Sequence, residues 1–153
     1  MQGHDDMPDD SLAPRSTRQS LPISLLRARE AMMSHFRPML DRHGVNEQQW
    51  RVIRVLAEAG QLDASEVAER ANILAPSLTR MIRTMAERGL ILKARDAGDG
   101  RRVMLAIAPP GRDLLREVSP DSARIYADLE ARFGRGNMVT LIDMLDRLSE
   151  LKA

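Results

Sequence analysis

One segment of the sequence carries hydroxyl and guanidinium side chains at helical spacing. Pro76 at its start and Gly89 after its end predict a helix over 76–88. The apolar face of this helix consists of Leu78, Met81, Ile82 and Met85. The opposite face consists of Ser77, Thr79, Arg80, Arg83 and Thr84. Small side chains allow close approach to the DNA major groove, and arginine bonds guanine or phosphate, so these residues together with Pro76 are predicted DNA contacts. The alternative interpretation is an ordinary solvated helix face.

A short hairpin is predicted directly after this helix. Alternation places Leu90, Leu92 and Ala94 on one face of a first strand, and Val103, Leu105 and Ile107 on one face of a second. The turn between them carries Arg95, Arg101 and Arg102, which extend the basic surface towards a flanking minor groove or phosphate. Because Asp99 would repel DNA if left unpaired, we expect it to pair with an arginine and hold that side chain in one direction.

The charge of the chain is unevenly distributed. The formal net charge of +1 would by itself predict no nucleic-acid partner. Residues 73–108, however, contain seven basic side chains against three acidic ones, a balance of +4, so the rest of the chain is about three units negative. The positive charge therefore lies in the predicted helix and hairpin.

Two capping boxes predict the helices that precede this segment. Asn46 with Gln49 begins a helix over 47–58, which Gly60 ends. Asp63 with Glu66 begins a short helix that ends near residue 71 and contains Ser65, a further predicted DNA contact. Two short helices joined by a tight turn and followed by a hairpin form the winged helix-turn-helix order. We predict a mainly α fold with a small β-hairpin wing, in which residues 46–109 bind double-stranded DNA.

Amphipathic helices flank this lobe. Residues 21–41 repeat apolar side chains at helical spacing, with Pro38 loosening the last turn. Residues 110–151 predict a long helix, kinked at Pro120, and a final helix with the three-and-four leucine spacing of helices that pack along another helix. Residues 1–20 mix Asp, Pro, Ser and Gly and predict a flexible tail.

Three segments resemble the MarR family of bacterial regulators. They are residues 46–53 (Asn-Glu-Gln-Gln-Trp-Arg-Val-Ile), 76–90 (Pro-Ser-Leu-Thr-Arg-Met-Ile-Arg-Thr-Met-Ala-Glu-Arg-Gly-Leu) and 99–102 (Asp-Gly-Arg-Arg), within a likeness that covers 21–151. The resemblance implies a homodimer, assembled through 21–43 and 110–151, that binds palindromic DNA. The family's aspartate-x-arginine wing motif falls on Asp99 and Arg101, which implies that Arg101 enters the minor groove.

A narrower resemblance involves residues 25–38 (Leu-Leu-Arg-Ala-Arg-Glu-Ala-Met-Met-Ser-His-Phe-Arg-Pro) and 73–79 (Ile-Leu-Ala-Pro-Ser-Leu-Thr). These segments are similar to the branch that regulates homoprotocatechuate (4-hydroxyphenylacetate) degradation. The resemblance implies a repressor that an aromatic acid releases from DNA.

The composition narrows what such a regulator can sense. The chain has no cysteine, which excludes thiol-based oxidant sensing. Its three histidines, His4, His35 and His43, give little material for a zinc site, so we expect neither metal nor cofactor. A small organic effector remains, for which the resemblance implies a pocket between the dimer helices and the DNA-binding lobe.

Five residues in that region could bind an aromatic acid. Arg29 could pair with its carboxylate, Ser24 or His35 could bond a phenolic hydroxyl, and Met33 and Trp50 could line an apolar wall. The alternatives are that Met33 and Trp50 are plain core and that Arg29 forms an intersubunit ion pair.

Other classes of function lack their motifs. There is no G-x-S-x-G, HExxH, phosphate loop or GxGxxG, and Gly98 and Gly100 lie in a hairpin, so we expect no enzyme activity. The aromatic residues sit on apolar helix faces and form no stacking platform for RNA or single strands.

The location of the protein is also predicted from the sequence. An acidic N-terminus, with Asp5, Asp6, Asp9 and Asp10, does not resemble a signal peptide, and no apolar run approaches membrane-spanning length. We expect a cytoplasmic protein without a membrane partner. Two alternatives stay open at this point: a regulator that answers to another ligand or a metal, and a winged-helix interaction module that does not bind DNA.

Overall fold

The computed structural model describes residues 16–153. Its elements, in chain order, are α1 (Leu21–Arg42), α2 (Glu47–Ala59), β1 (Gln61–Asp63), α3 (Ala64–Ala71), α4 (Ala75–Glu87), β2 (Ile91–Arg95), β3 (Val103–Ile107), α5 (Pro109–Phe133) and α6 (Arg135–Ser149). The predicted mainly α fold with a small β wing is confirmed. Most of the predicted tail, with His4 and the four N-terminal aspartates, lies outside the described residues.

The chain divides into two compact units, of which the first ends at Ser34 and the second runs from His35 to Ala153. The first unit supplies the N-terminal turns of α1, where Leu21, Leu25 and Leu26 are exposed. The second unit has a core of side chains from α2, α3, α4, β3 and α5: Val52, Ile53, Leu56, Val67, Met85, Leu105 and Val118 are almost completely buried. Within residues 16–153, no helix is both long and apolar enough to cross a lipid bilayer.

Both predicted capping boxes form. Asn46 Oδ1 accepts the Gln49 backbone N–H at 2.8 Å, and Asp63 Oδ1 accepts the Glu66 backbone N–H at 2.8 Å. The Gln49 and Glu66 side chains accept the N–H of the respective cap residue in return. These local bonds satisfy amides that a helix start leaves without partners, which explains why the sequence alone locates α2 and α3.

The boundaries of α4 differ slightly from the prediction. The helix begins at Ala75, so Pro76 is its second residue, and Leu74 caps it without a side-chain hydrogen bond. It ends at Glu87, with Arg88 as cap and Gly89 at a φ of +73°. The predicted inner face is confirmed, since Leu78, Met81, Ile82 and Met85 are buried.

The sheet contains a strand that the sequence did not indicate. β3 lies between β1 and β2 in an antiparallel sheet of order β1-β3-β2. β1 has three residues and leads directly into the cap of α3, so it is too short to show alternation.

The apolar residues that the alternation places on one face of β2 do not form its buried side. Ile91 pairs with Ile107 and is 2% exposed, whereas Leu92 is 58% exposed. Leu90 is buried but lies before the strand. Counting it as the first strand residue shifted the predicted buried side by one position. For β3 the predicted face is confirmed, with Leu105 and Ile107 buried.

The start of α5 packs closely against the beginning of β2. Pro109 is the first helical residue, earlier than predicted, and the Ala108 backbone N–H donates to Leu90 O at 3.0 Å. A Cβ atom on Gly111 would lie 2.3 Å from the same oxygen. Pro120 lies inside a helix that continues to Phe133. In α6 no residue is buried within the single chain.

Candidate nucleic-acid interface

The outer face of α4 carries the predicted DNA-contacting residues together. Pro76, Ser77, Thr79, Arg80, Arg83 and Thr84 are all exposed. Thr79 Oγ1 donates to Ala75 O at 3.1 Å and Thr84 Oγ1 donates to Arg80 O at 3.3 Å. Because its proton is used in this way, each hydroxyl is left as an acceptor, which suits the amino groups of adenine or cytosine, and the threonine methyl groups suit contact with the methyl group of thymine.

A cleft of about 370 Å³ lies between the start of α2 and α4. Ser77, Arg80 and Thr84 line it from α4. Across from them lie Gln48 and Gln49, which are outside the interface predicted from the sequence. Their amides can donate to phosphate or to base edges. The signal in the sequence was the pair of glutamines in the first turn of a predicted helix, but the position of that turn beside α4 follows from the fold. Ser65 is exposed in the first turn of α3.

The tip of the wing differs from its predicted geometry. Asp99 Oδ1 accepts the Arg101 backbone N–H at 3.0 Å, and Asp99 O accepts the Arg102 backbone N–H at 3.0 Å. The expected ion pair between Asp99 and an arginine is therefore wrong. An aspartate that bonds the backbone two residues on folds the turn instead. Arg101 is exposed and has no ion-pair partner among residues 16–153. Arg95 makes one long contact, to Gly100 O at 3.5 Å.

Arg102 occupies a different environment from the one predicted. Its guanidinium lies 3.0 Å from Asp63, 3.5 Å from Asp96 and 3.7 Å from Glu66. The backbone N–H of Glu66, with the Arg102 guanidinium, holds the pKa of Asp63 below its ordinary value of 3.8. The hydrogen bond and charge of Asp63 in turn raise the pKa of Arg102. Arg102 thus joins the wing to α3, and the prediction that it extends the free basic surface is corrected.

The histidines and carboxylates of the described chain do not assemble a metal site. Across residues 16–153, no group of three or more potential ligands could hold an ion. His35 is exposed, and His43 Nε2 contacts Asp121 Oδ2 at 2.8 Å. The role of His43 as a link to α5 was missed because Asp121 is 78 residues away in the sequence.

The predicted effector residues fall in both units. In the first, Ser24 Oγ accepts from Arg27 Nη2 at 3.2 Å, Arg29 is exposed and Met33 is half-buried. In the second, His35 is exposed and Trp50 is 9% exposed. The burial of Trp50 agrees with a packing role, and its place in an effector site stays a prediction.

Comparison with known proteins agrees with this geometry. The sequence model that defines the MarR family matches residues 45–103, which cover the helix-turn-helix and most of the wing. The HTH-type transcriptional regulator FarR of Neisseria gonorrhoeae is 38% identical over 138 residues, which are 90% of this chain and 94% of that protein. The chain belongs to the MarR family. Its resemblance to this family, predicted from the sequence, is confirmed.

Two further proteins are similar to this MarR chain over most of its length. The homoprotocatechuate degradative operon repressor of Escherichia coli is 39% identical over 132 residues, covering 86% of this chain and 89% of that protein. The crystal structure of NadR in complex with 4-hydroxyphenylacetate is 37% identical, with a TM-score of 0.79, covering 92% of this chain and 100% of that one. The winged helix-turn-helix fold of a MarR transcriptional regulator is thereby confirmed.

Proposed function

We propose that this chain is a homodimeric repressor that binds palindromic double-stranded DNA and acts without catalysis, on the nucleoid in the cytoplasm. The observation that carries the proposal is the exposed face of α4 beside a wing whose tip arginine, Arg101, has no partner in the described part of the chain. A protein face that enters the major groove needs small side chains and arginines, and this face has both.

The proposed DNA contacts divide by groove. The α4 face reads the major groove, Arg101 enters the flanking minor groove, and Ser65 contacts phosphate. Asp99 and Arg102 do not contact DNA in this proposal, because their bonds hold the wing. The full set of proposed DNA contacts comprises Ser65 on α3, Arg95 and Arg101 on the wing, and Pro76, Ser77, Thr79, Arg80, Arg83 and Thr84 on α4.

The proposed target is an operon for the breakdown of an aromatic compound of the homoprotocatechuate or 4-hydroxyphenylacetate type. The name of the Escherichia coli relative and the ligand in the NadR structure support this assignment. A small aromatic acid would then release the repressor from DNA. The proposed effector residues are Ser24, Arg29, Met33, His35 and Trp50.

The proposed dimer uses residues 21–43 and 110–151. Its support is apolar surface on α6 that the single chain leaves exposed, including Ile142, Met144 and Leu145. Residues 46–109 would form the DNA-binding lobe of each subunit.

The DNA-binding proposal is tested by titrating a duplex from the region upstream of the gene at several salt concentrations. We expect a steep fall of affinity with salt, and a weaker affinity with a shallower slope for Arg101→Ala. Arg54→Ala is the matched control, since Arg54 pairs with Glu58 on the surface of α2 at 3.7 Å. Failure of the wild-type protein to retard any upstream fragment at low salt would refute the proposal.

The effector proposal is tested with 4-hydroxyphenylacetate and two analogues, phenylacetate without the hydroxyl group and 4-hydroxyphenylethanol without the carboxylate. We expect the complete ligand to release DNA, raise the melting temperature and change the fluorescence of Trp50, the single tryptophan of the chain. The analogues should act weakly, because each leaves one polar group of the site unpaired. Release by Zn²⁺ but by none of the aromatic acids would contradict this assignment.

A further inference from the structure

The inner face of β2 carries cations where a core-facing strand normally carries apolar residues. In the register of the sheet, Ile91, Lys93 and Arg95 pair with Ile107, Leu105 and Val103, so these residues share the inner face. Leu92, on the outer face, is 58% exposed. Lys93 and Arg95 are themselves exposed, so beyond Ile91 this face of β2 runs from the core out to solvent.

These cations line a groove of about 350 Å³ between α4 and the wing. Arg83 approaches from α4, Lys93 and Arg95 from β2, and Ile82 and Val103 supply an apolar lining. The described lining contains no acidic side chain. Arg83 and Lys93 form no hydrogen bond or ion pair within residues 16–153. Three converging positive charges beside apolar surface repel one another, and an anion in the groove would relieve that repulsion.

We propose that this groove holds a backbone phosphate of bound DNA, and that Lys93 is a principal contact to it. The inference rests on the proposed function, in which α4 lies in the major groove and the wing tip in the adjacent minor groove. One sugar-phosphate backbone separates two adjacent grooves, so it must pass between α4 and the wing. That path is the groove lined by Arg83, Lys93 and Arg95.

The chemistry of the groove suits a phosphate and not a base edge. Thr79 also lines it, but the hydroxyl proton of Thr79 is used by Ala75 O, so the free donors are the three cations. Lysine acts on phosphate as a point charge and carries no base preference. Lys93 therefore sets how closely the wing approaches the DNA backbone. It adds the same affinity for every DNA sequence.

Lysine footprinting tests the inference directly, because Lys93 and Lys152 are the two lysines of the chain. Acetylation of each amine would be followed by mass spectrometry with and without operator duplex. At a duplex concentration of about ten times Kd, we expect acetylation of Lys93 to slow about tenfold. Lys152, near the C-terminus, should react at an unchanged rate and serves as the internal control.

Matched variants supply a second measurement. Lys93→Gln should weaken binding to operator and scrambled duplex by the same factor and lower the salt slope by about 1 per subunit. Lys152→Gln removes the same charge elsewhere and should leave both quantities unchanged. A thermal melt of Lys93→Gln like that of the wild type shows that folding is intact.

The outcomes separate this inference from the repressor proposal. Unprotected Lys93 in a wild-type complex that binds the operator would overturn the phosphate site and leave the repressor standing. Protection of Lys93 by 4-hydroxyphenylacetate without DNA would also overturn it, since the groove would then bind the effector. Absence of any DNA binding by the wild-type protein would refute the proposed function itself.

Discussion

Arg101 and Arg102 are neighbours in the sequence with opposite surroundings in the fold. Arg101 is exposed at the wing tip, whereas Arg102 lies within 4 Å of three carboxylates. Composition and motif could not separate them, because Asp63 is 39 residues away from Arg102 in the sequence. The difference arises from the pairing of β1 with β3, which brings the cap of α3 to the base of the wing.

The two arginines should therefore respond differently to substitution. We expect Arg102→Gln to weaken operator binding while leaving the salt slope unchanged, because the change loosens the wing without removing a phosphate contact. Titrations of the variant at four salt concentrations measure both quantities. If the slope falls by about 1 per subunit, Arg102 contacts phosphate after all.

Asp63→Asn is the partner variant for this measurement. It keeps an oxygen that can cap α3 and removes the charge that faces Arg102. Because the pKa of Asp63 is lowered from 3.8 in the folded protein, its charge stabilises the fold above that pH. This stabilisation is lost as the pH falls through the lower, folded-state pKa. The stabilities of wild type and variant should differ at pH 7 and converge in acid.

At the scale of elements, the sequence predicted what local chemistry decides. Asn46 and Asp63 locate the starts of α2 and α3 because a capping box is complete within four residues. The inner face of β2 was not predictable in this way, because it depends on the pairing of Ile91 with Ile107. The same dependence hid Lys93 from the predicted interface, since its position facing α4 follows from the register and not from its neighbours in the chain.

The junction between the wing and α5 should tolerate little added volume. Gly111→Ala would place a methyl group 2.3 Å from Leu90 O and 2.9 Å from Ile107 Cγ1. Because the nearest atom belongs to the backbone, relief requires α5 to shift, and we expect a loss of about 1–3 kcal/mol in unfolding free energy. Denaturant titration at fixed protein concentration measures this loss.

A second glycine provides the control for that substitution. Gly136 lies in α6 with no atom within 4 Å of an added Cβ. Gly136→Ala should be neutral or stabilising by about 0.4–1 kcal/mol. Equal stability of Gly111→Ala and the wild type would show that α5 moves freely relative to β2.

At the scale of the whole molecule, the apolar face of α6 is exposed in the single chain and needs a second surface to bury it. Leu141, Ile142, Leu145 and Leu148 share one helical face, and each is more than a third exposed in the single chain. Their spacing predicted a helix that packs along another helix. The surface that covers this face could not be predicted from these residues, because an apolar helix face does not specify the partner against which it packs.

A charge in the middle of this face should separate the proposed dimer. We expect Leu145→Glu to sediment as a monomer and to bind a palindromic operator much more weakly, because the second half-site is no longer engaged. Gly136→Glu introduces the same charge on the side of α6 that points away from Leu145, where an added Cβ has no atom within 4 Å, and should remain dimeric. A Leu145→Glu protein that sediments like the wild type would exclude this face from the interface.

The hydrogen bond from the Ala108 backbone N–H to Leu90 O joins the start of α5 to the residue that precedes β2. A tilt of α5 would therefore move the wing as well. A helix of this length is about 37 Å long, so a tilt of about 5° displaces one end by about 3 Å relative to the other. The operator presents its half-sites at a fixed spacing of about 34 Å for each helical turn. In the proposed dimer, the distance between the two wings matches this half-site spacing at one angle of α5. An effector of this dimer that tilted α5 would therefore change the distance between the two wings without touching a DNA-binding side chain.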